Sequence, residues 1–361
     1  MSVDGESLLE LASEVVKRAR DRGADVAEAV LGQSVHLSAK VRLGEPELVE
    51  EAGERSLGLR VMRGKRVAVT HTSDLSSIGL TRLAEDALEL AALSEEDPCA
   101  GPPEPEVLSA RDQHPDLDLF DAAIDEVGAD EALRRATEAE RAAMDHDPRI
   151  TNTDGAVFAR VSGMRALVTS GGFTGLSRGT YGSITVNPVV DDAEGKKRSG
   201  YYWSARRYLE DLESEEAVGR EAARRTLDML GPRKLESQEC PVIFERDAAR
   251  SILGLLGSCI SGGAIWRRSS YLADRLDSAV ASELVTVVDD PLLARGLGSR
   301  GYDGEGLLSR RNVLVEGGVL RSFLLDSYSG RKLSMPTTAN ASRGGSGGAR
   351  LARIMTMRER P

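Results

Sequence analysis

The hydrophobic pattern of this chain switches repeatedly between helical and strand spacing, and this alternation constrains the fold more than any other feature. Residues 56–71 alternate like a β-hairpin, with a turn at Arg63-Gly64-Lys65. Residues 6–22 and 76–93 instead place apolar side chains at helical spacing, in the first case Leu8, Leu9, Ala12, Val15, Val16 and Ala19. Helices on both sides of hairpins predict an α/β protein with mixed α+β sheets.

The middle of the chain repeats this order. A helix, two strand-like runs and another helix are predicted over 129–145, 149–170, 180–190 and 214–230. Gly231-Pro232 ends the last of these helices, because proline cannot continue it. We therefore predict two domains, an N-terminal α/β domain over 1–232 and a second domain over 233–342, followed by a Gly/Arg-rich tail over 343–361.

The second domain has a more apolar character. Residues 240–244 predict a buried strand, and 247–260 predict a helix that is buried on most sides. A short strand is predicted over 284–288 and a hairpin over 312–325, with its turn at Glu316-Gly317-Gly318.

Composition narrows the classes of partner. The 361 residues carry a net charge of −11, and only 4% are aromatic, which argues against a nucleic-acid partner. No apolar run approaches the roughly 18 residues of a membrane span, and Met1 to Gly5 lacks the pattern of a signal peptide. The three cysteines lie far apart and predict no disulfide framework. We expect a cytoplasmic protein with no membrane partner.

No self-contained active site is visible in the residues. All four histidines lie in the first 146 residues, and no HExxH pair, GxSxG elbow or P-loop is present. The run 302–306 fits either a divalent-cation site or a turn whose carboxylates accept hydrogen bonds from backbone amides. The absence of EF-hand spacing favours the turn.

Three segments carry a recognisable pattern. Residues 301–306 read Gly-Tyr-Asp-Gly-Glu-Gly, and 312–333 read Asn-Val-Leu-Val-Glu-Gly-Gly-Val-Leu-Arg-Ser-Phe-Leu-Leu-Asp-Ser-Tyr-Ser-Gly-Arg-Lys-Leu. Residues 261–272 read Ser-Gly-Gly-Ala-Ile-Trp-Arg-Arg-Ser-Ser-Tyr-Leu, and 337–342 read Thr-Thr-Ala-Asn-Ala-Ser. These blocks resemble the TldD/PmbA family, historically called modulators of DNA gyrase, and the resemblance covers residues 6 to 342.

The resemblance implies a two-domain TldD/PmbA-like architecture and one of two kinds of subunit. The TldD kind resembles a metallopeptidase with a zinc-binding HExxxH helix, whereas the PmbA kind, also called TldE, lacks these ligands and pairs with TldD. The corresponding segment here, 250–262, contains no histidine or glutamate. The resemblance therefore implies a non-catalytic subunit with no cofactor of its own, a TldD-like partner that holds zinc, and unfolded or leader peptides as substrates.

The same resemblance suggests which residues line a cleft or subunit interface. They lie in two polar, glycine-rich segments: Ser261, Gly262, Gly263, Arg267, Ser269 and Ser270 in one, and Asp303, Gly304, Glu305 and Gly306 in the other. No residue of the chain is expected to be catalytic or to bind a metal. The alternative functions are a stand-alone peptide-binding modulator without peptidase activity and a truncated, non-functional copy. Family members continue into further strands beyond the 337–342 block, which implies an incomplete C-terminal domain here.

Overall fold

Long antiparallel strands and short helices make up the computed structural model, which describes residues 5–343 and the backbone of 356–357. The helices are α1 (Gly5–Asp21), α2 (Ser77–Leu93), α3 (Ala122–Asp125), α4 (Ala129–Met144), α5 (Glu215–Leu227), α6 (Arg246–Cys259), α7 (Gly262–Trp266) and α8 (Ser327–Leu333). The strands are β1 (Val26–Arg42), β2 (Glu45–Arg63), β3 (Arg66–Thr72), β4 (Ile150–Thr169), β5 (Thr174–Asp191), β6 (Lys197–Ser199), β7 (Tyr202–Arg206), β8 (Val287–Asp289), β9 (Asn312–Glu316), β10 (Val319–Leu320) and β11 (Thr356–Met357).

The first seven strands form one antiparallel sheet in the order β3-β2-β1-β4-β5-β6, with β7 also paired to β5. Alternate side chains of a strand share a face, so the odd-numbered residues of β1 point the same way. Ala27, Ala29 and Leu31 pack in a core with α1 and α2, whereas Leu37 and Ala39 pack in a core with α4 and α5. Two helix pairs therefore cover one face of a single long sheet.

The other face of the sheet meets the C-terminal part of the chain. Val30 of β1 and Leu167 of β4 are opposite each other in the register and form a small core with Phe173, against which Tyr302 packs. The rings of Phe173 and Tyr302 lie edge to face, with 5.0 Å between their centres. The loop that carries Tyr302 is thereby fixed against the N-terminal sheet.

A smaller sheet, in the order β10-β9-β8-β11, organises the C-terminal part. It shares a core with the ends of α6 and α7 and with the segment before α8, formed by Ile260, Ile265, Leu272, Val287, Leu314, Val315, Leu320, Phe323, Leu324 and Leu325. The mixed α/β class predicted from the sequence is confirmed. Strand β1 is continuous over Val26–Arg42, because the glycine and polar residues inside it are paired with both β2 and β4.

Two predictions for the C-terminal part are wrong. Residues 240–244 form no strand, and Ile243 is 96% exposed, since no described segment pairs with them. Helix α6 is also less buried than predicted: Leu253, Leu256 and Cys259 face the core, but Leu255 is 65% exposed. An apolar run indicates that burial of the segment would be favourable, but it does not indicate whether another element packs against it.

Arg343, predicted to begin a tail, is instead a core residue. It is 3% exposed, and its guanidinium lies 3.3 Å from a carboxylate oxygen of Glu28 in β1 and 3.3 Å from one of Glu305. Glu28 also pairs with Arg60 of β2 at 2.8 Å. This buried ion network joins the N-terminal sheet to the 303–306 loop. The rest of the predicted tail lies outside the described residues, apart from the backbone of β11.

We predict that Glu28→Gln destabilises the chain by about 3–5 kcal/mol, because removal of one partner leaves buried guanidinium charge uncompensated. Urea unfolding measures the change, and a double-mutant cycle with Arg343→Gln measures the coupling. Arg82→Gln, which removes an exposed ion pair to Asp86, is the control with a much smaller expected cost. An equal cost for Glu28→Gln and Arg82→Gln would contradict the prediction.

Candidate functional site

Asp303 organises the loop predicted to line a cleft. Its carboxylate is 2% exposed; Oδ1 accepts hydrogen bonds from the amides of Glu305 at 2.9 Å and Leu307 at 3.0 Å. Its Oδ2 accepts from the amide of Ala341 at 3.0 Å. The carboxylate therefore holds a turn and ties it to the segment before Arg343, in the capping geometry that the sequence favours over a cation site.

The environment of Asp303 shifts its ionisation. Burial, together with the nearby Glu305 carboxylate, raises the pKa of Asp303 to about 6, although the three backbone amides oppose this shift. In contrast, burial raises the pKa of Glu28 less than Arg60 and Arg343 lower it, so its pKa lies below the usual range.

The two glycines of this loop allow it to pack directly against the Arg343 backbone and the Phe173 ring. A Cβ at Gly304 would lie 2.6 Å from the backbone nitrogen of Arg343, so no side chain fits there. Gly306 has φ of +88° and would place a Cβ 2.5 Å from the Phe173 ring. Glu305 reaches the other side of the loop, where its Oε2 accepts from the amide of Ser327 at the start of α8.

The second predicted segment, 261–270, is largely structural at one end and exposed at the other. Ser261 caps α7, and its hydroxyl donates to the carbonyl of Ser258 at 2.8 Å. Gly262 packs against Ser329 of α8 so closely that a Cβ would clash. The later residues lie at or near the surface: Arg267 and Ser269 are exposed and Ser270 is half-buried, whereas Gly263 is half-buried beside the Arg267 guanidinium.

The two predicted segments do not line a common cavity. A cavity of about 360 Å³ lies between the N-terminal sheet and the C-terminal loops, and Asp303 and Gly304 are the predicted residues that line it. Glu305 and Gly306 do not line it, and α8 connects this loop to the 261–270 segment through Ser327, which Glu305 contacts, and Ser329, which Gly262 contacts. The structure therefore separates the cavity from the exposed surface segment around Arg267.

Sequence analysis missed the most distinctive residues of this cavity, which are five arginines. They are Arg165 of β4, Arg178 of β5, Arg207 after β7, and Arg300 and Arg343 from the C-terminal part. Arg300 directly precedes the 301–306 block and Arg343 directly follows the 337–342 block, which is the only sequence signal. Their convergence depends on the pairing of distant strands.

The residues of this chain do not fit the zinc site that the resemblance attributes to the other kind of subunit. Helix α6 presents arginine, aspartate and small or apolar side chains, with neither histidine nor glutamate. Among the described residues, no three His, Cys, Asp or Glu side chains cluster as metal ligands would. Within residues 5–343, no helix is long and apolar enough to cross a membrane.

We predict that Asp303→Asn changes how stability depends on pH. The folded pKa of about 6 lies above the ordinary value of about 3.9. Ionisation of Asp303 therefore does not affect the free energy of unfolding below about pH 4, and it lowers that free energy by its full amount above about pH 6. The unfolding free energy of the native chain, relative to the variant, should fall by about 3 kcal/mol between pH 4 and pH 7. Parallel pH profiles would contradict this, and Asp86→Asn, at an exposed carboxyl, controls for the charge change.

Comparisons with known proteins agree along the whole described fold. Family models match residues 27–91 as PmbA/TldA metallopeptidase domain 1, 122–230 as the central domain and 237–358 as the C-terminal domain. Metalloprotease PmbA of Escherichia coli O157:H7 is 36% identical over 88% of this chain and 70% of its own length. The Metalloprotease PmbA homolog of Haemophilus influenzae is 33% identical over 93% of this chain and 73% of its own length.

Solved structures show the same fold. The crystal structure of a protein from Bacteroides thetaiotaomicron, named as a modulator of DNA gyrase, has a TM-score of 0.89 at 23% identity and covers 99% of this chain and 78% of that chain. TldE from Thermococcus kodakarensis has a TM-score of 0.80 at 19% identity, over 96% of this chain and 77% of that chain. By sequence and by fold, the chain belongs to the PmbA/TldD metallopeptidase family.

Proposed function

We propose that this chain is the non-catalytic, PmbA/TldE-type subunit of a cytoplasmic peptidase, in which a TldD-like partner holds zinc and cleaves unfolded or leader peptides. The observation that carries the proposal is the combination of family membership with helix α6, which has no His or Glu where the resemblance expects the zinc helix. A family member without metal ligands needs a partner to contribute to hydrolysis.

The exposed end of the 261–270 segment supports a subunit contact. Arg267 is exposed and stacks on Trp266, with its guanidinium carbon 4.5 Å from the ring centre. Tyr271, next to this segment, is 80% exposed. Aromatic and arginine side chains are enriched in protein interfaces, so this surface is the part of the chain that we assign to the partner.

The role of this chain in catalysis is to position peptide, not to break it. Strand β3 lies at one end of the larger sheet, and an extended peptide can add to a sheet edge through main-chain hydrogen bonds. In the proposed complex the partner supplies the chemistry, and this chain supplies a rigid wall of the peptide cleft.

We predict that this chain and a TldD-like subunit, co-expressed, elute together in size-exclusion chromatography and cleave an unfolded peptide. Chelator should abolish the cleavage, and added zinc should restore it, because the metal belongs to the partner. This chain alone should cleave nothing. Failure to form a complex, or chelator-sensitive cleavage by this chain alone, would overturn the proposal; the first result would favour the stand-alone peptide-binding alternative.

Charge reversal tests the assigned contact. Arg267→Glu should weaken the complex about tenfold or more, since an arginine at the centre of an interface contributes strongly to affinity. Arg82→Glu is the matched control, because its side chain is also exposed but lies on α2 of the N-terminal domain. Equal affinities of the two variants would place the partner on another surface.

A further inference from the structure

The cavity between the two parts of the chain is built by small residues on the sheet and closed by C-terminal loops. Ser34, Gly163 and Gly179 are opposed to one another on the neighbouring strands β1, β4 and β5, and Ser177 of β5 is opposed to Arg165 of β4. At Gly179 a Cβ would lie 2.8 Å from Nη1 of Arg207, so a side chain there would displace this arginine. The small residue at Gly179 thus allows the Arg207 guanidinium to lie directly against the sheet at the cavity wall.

Arg300 lines this cavity, and its guanidinium has no hydrogen-bond acceptor among the described residues. Its Nε, Nη1 and Nη2 atoms are all buried, and none has a partner among the described residues. Burial lowers the pKa of Arg300 and the charges of the Asp289 and Asp303 carboxylates oppose this shift, but neither carboxylate forms an ion pair with it among the described residues. Oδ2 of Asp289 accepts a hydrogen bond from the side-chain amide of Asn340 at 2.7 Å, and its Oδ1 has no partner among the described residues. The Asp303 carboxylate accepts hydrogen bonds from three backbone amides.

Two further cavity arginines have no carboxylate partner among the described residues. Arg165 donates to the carbonyl of Arg343, and Arg207 donates to the carbonyls of Gly296 at 2.8 Å, Leu297 at 2.9 Å and Thr180 at 3.2 Å. Burial lowers the pKa of Arg165, of Arg207 and of Arg300, which reflects desolvated positive charge.

The remaining charges at the cavity are already paired. Arg178 lies 3.5 Å from Asp125, and Arg343 is paired with Glu28 and Glu305. The one carboxylate among the described lining residues is Asp303, whose oxygens face backbone amides. A surplus of desolvated cations is costly unless an anion compensates it, so the chemistry of the cavity points to an anionic ligand.

We propose that this cavity binds the carboxylate of a peptide, with Arg300 and Arg165 as its main donors. The planar guanidinium fork matches a carboxylate, and about 360 Å³ admits one or two residues of an extended peptide rather than a folded partner. The peptide as ligand rests on the proposed function. The carboxylate comes either from the C-terminus of the peptide or from an Asp or Glu side chain.

Calorimetric titration of the full chain alone tests this site with three N-acetylated tripeptides. They are trialanine as the free acid, trialanine as the C-terminal amide, and an amide with a central glutamate. We expect the neutral amide to bind about tenfold or more weakly than at least one acidic peptide. Preference for the free acid assigns the C-terminal carboxylate, and preference for the glutamate peptide assigns the side chain.

Arg300→Met removes the unpartnered cation while keeping the length of the side chain. It should reduce the affinity for the acidic peptide about tenfold or more without lowering the thermal unfolding midpoint, because the lost guanidinium has no protein acceptor. Arg165→Met should also reduce affinity, and Arg82→Met, at an exposed site, should leave it unchanged.

The proposal is overturned if the three peptides bind equally, if none binds, or if inorganic phosphate binds and the acidic peptides do not. It is also overturned if folded Arg300→Met binds as tightly as the native chain. These outcomes are separable from the test of the proposed function. A complex with a TldD-like subunit can form while the acidic peptides show no preference, and the preference can appear in a chain that forms no complex.

Discussion

The buried ion network of Glu28, Arg343 and Glu305 is the constraint on which the arrangement of the whole chain depends. Glu28 lies in the first strand of the large sheet and Arg343 lies at the end of the C-terminal part, 315 positions away in sequence. Buried charges are tolerated only where they are paired and hydrogen-bonded, so these residues can be buried only if the two parts meet in one register. The network therefore selects a relative position that apolar contacts alone would specify less sharply.

The 303–306 loop takes its shape from this junction. Asp303 folds the loop on backbone amides, while Glu305 extends from it to Arg343 and to the start of α8. Glycines at 304 and 306 let the loop approach its neighbours more closely than any side chain would allow. The loop is thus the carboxylate-capped turn that the sequence favours, and its position beside the sheet forms one wall of the arginine-lined cavity.

The arrangement is consistent with the proposed function. Helix α6 carries no His or Glu where the resemblance expects zinc ligands in the other kind of subunit, whereas the cavity is lined by arginines. In the proposed complex the hydrolytic centre and the peptide-holding surfaces come from different chains. The exposed segment around Arg267 and the arginine-lined cavity then serve two different contacts, one with the partner and one with the peptide.

The sequence by itself determined most element types, the mixed α/β class and the family, because periodicity and local motifs depend only on neighbouring residues. It also located the loop of Asp303 and Glu305. Only the tertiary structure decided that Arg343 is buried, that residues 240–244 have no partner strand among the described residues, and that Arg165 and Arg300 converge. These outcomes depend on which distant segments pair across the sheet, and long-range pairing of charges leaves no periodic trace in one sequence.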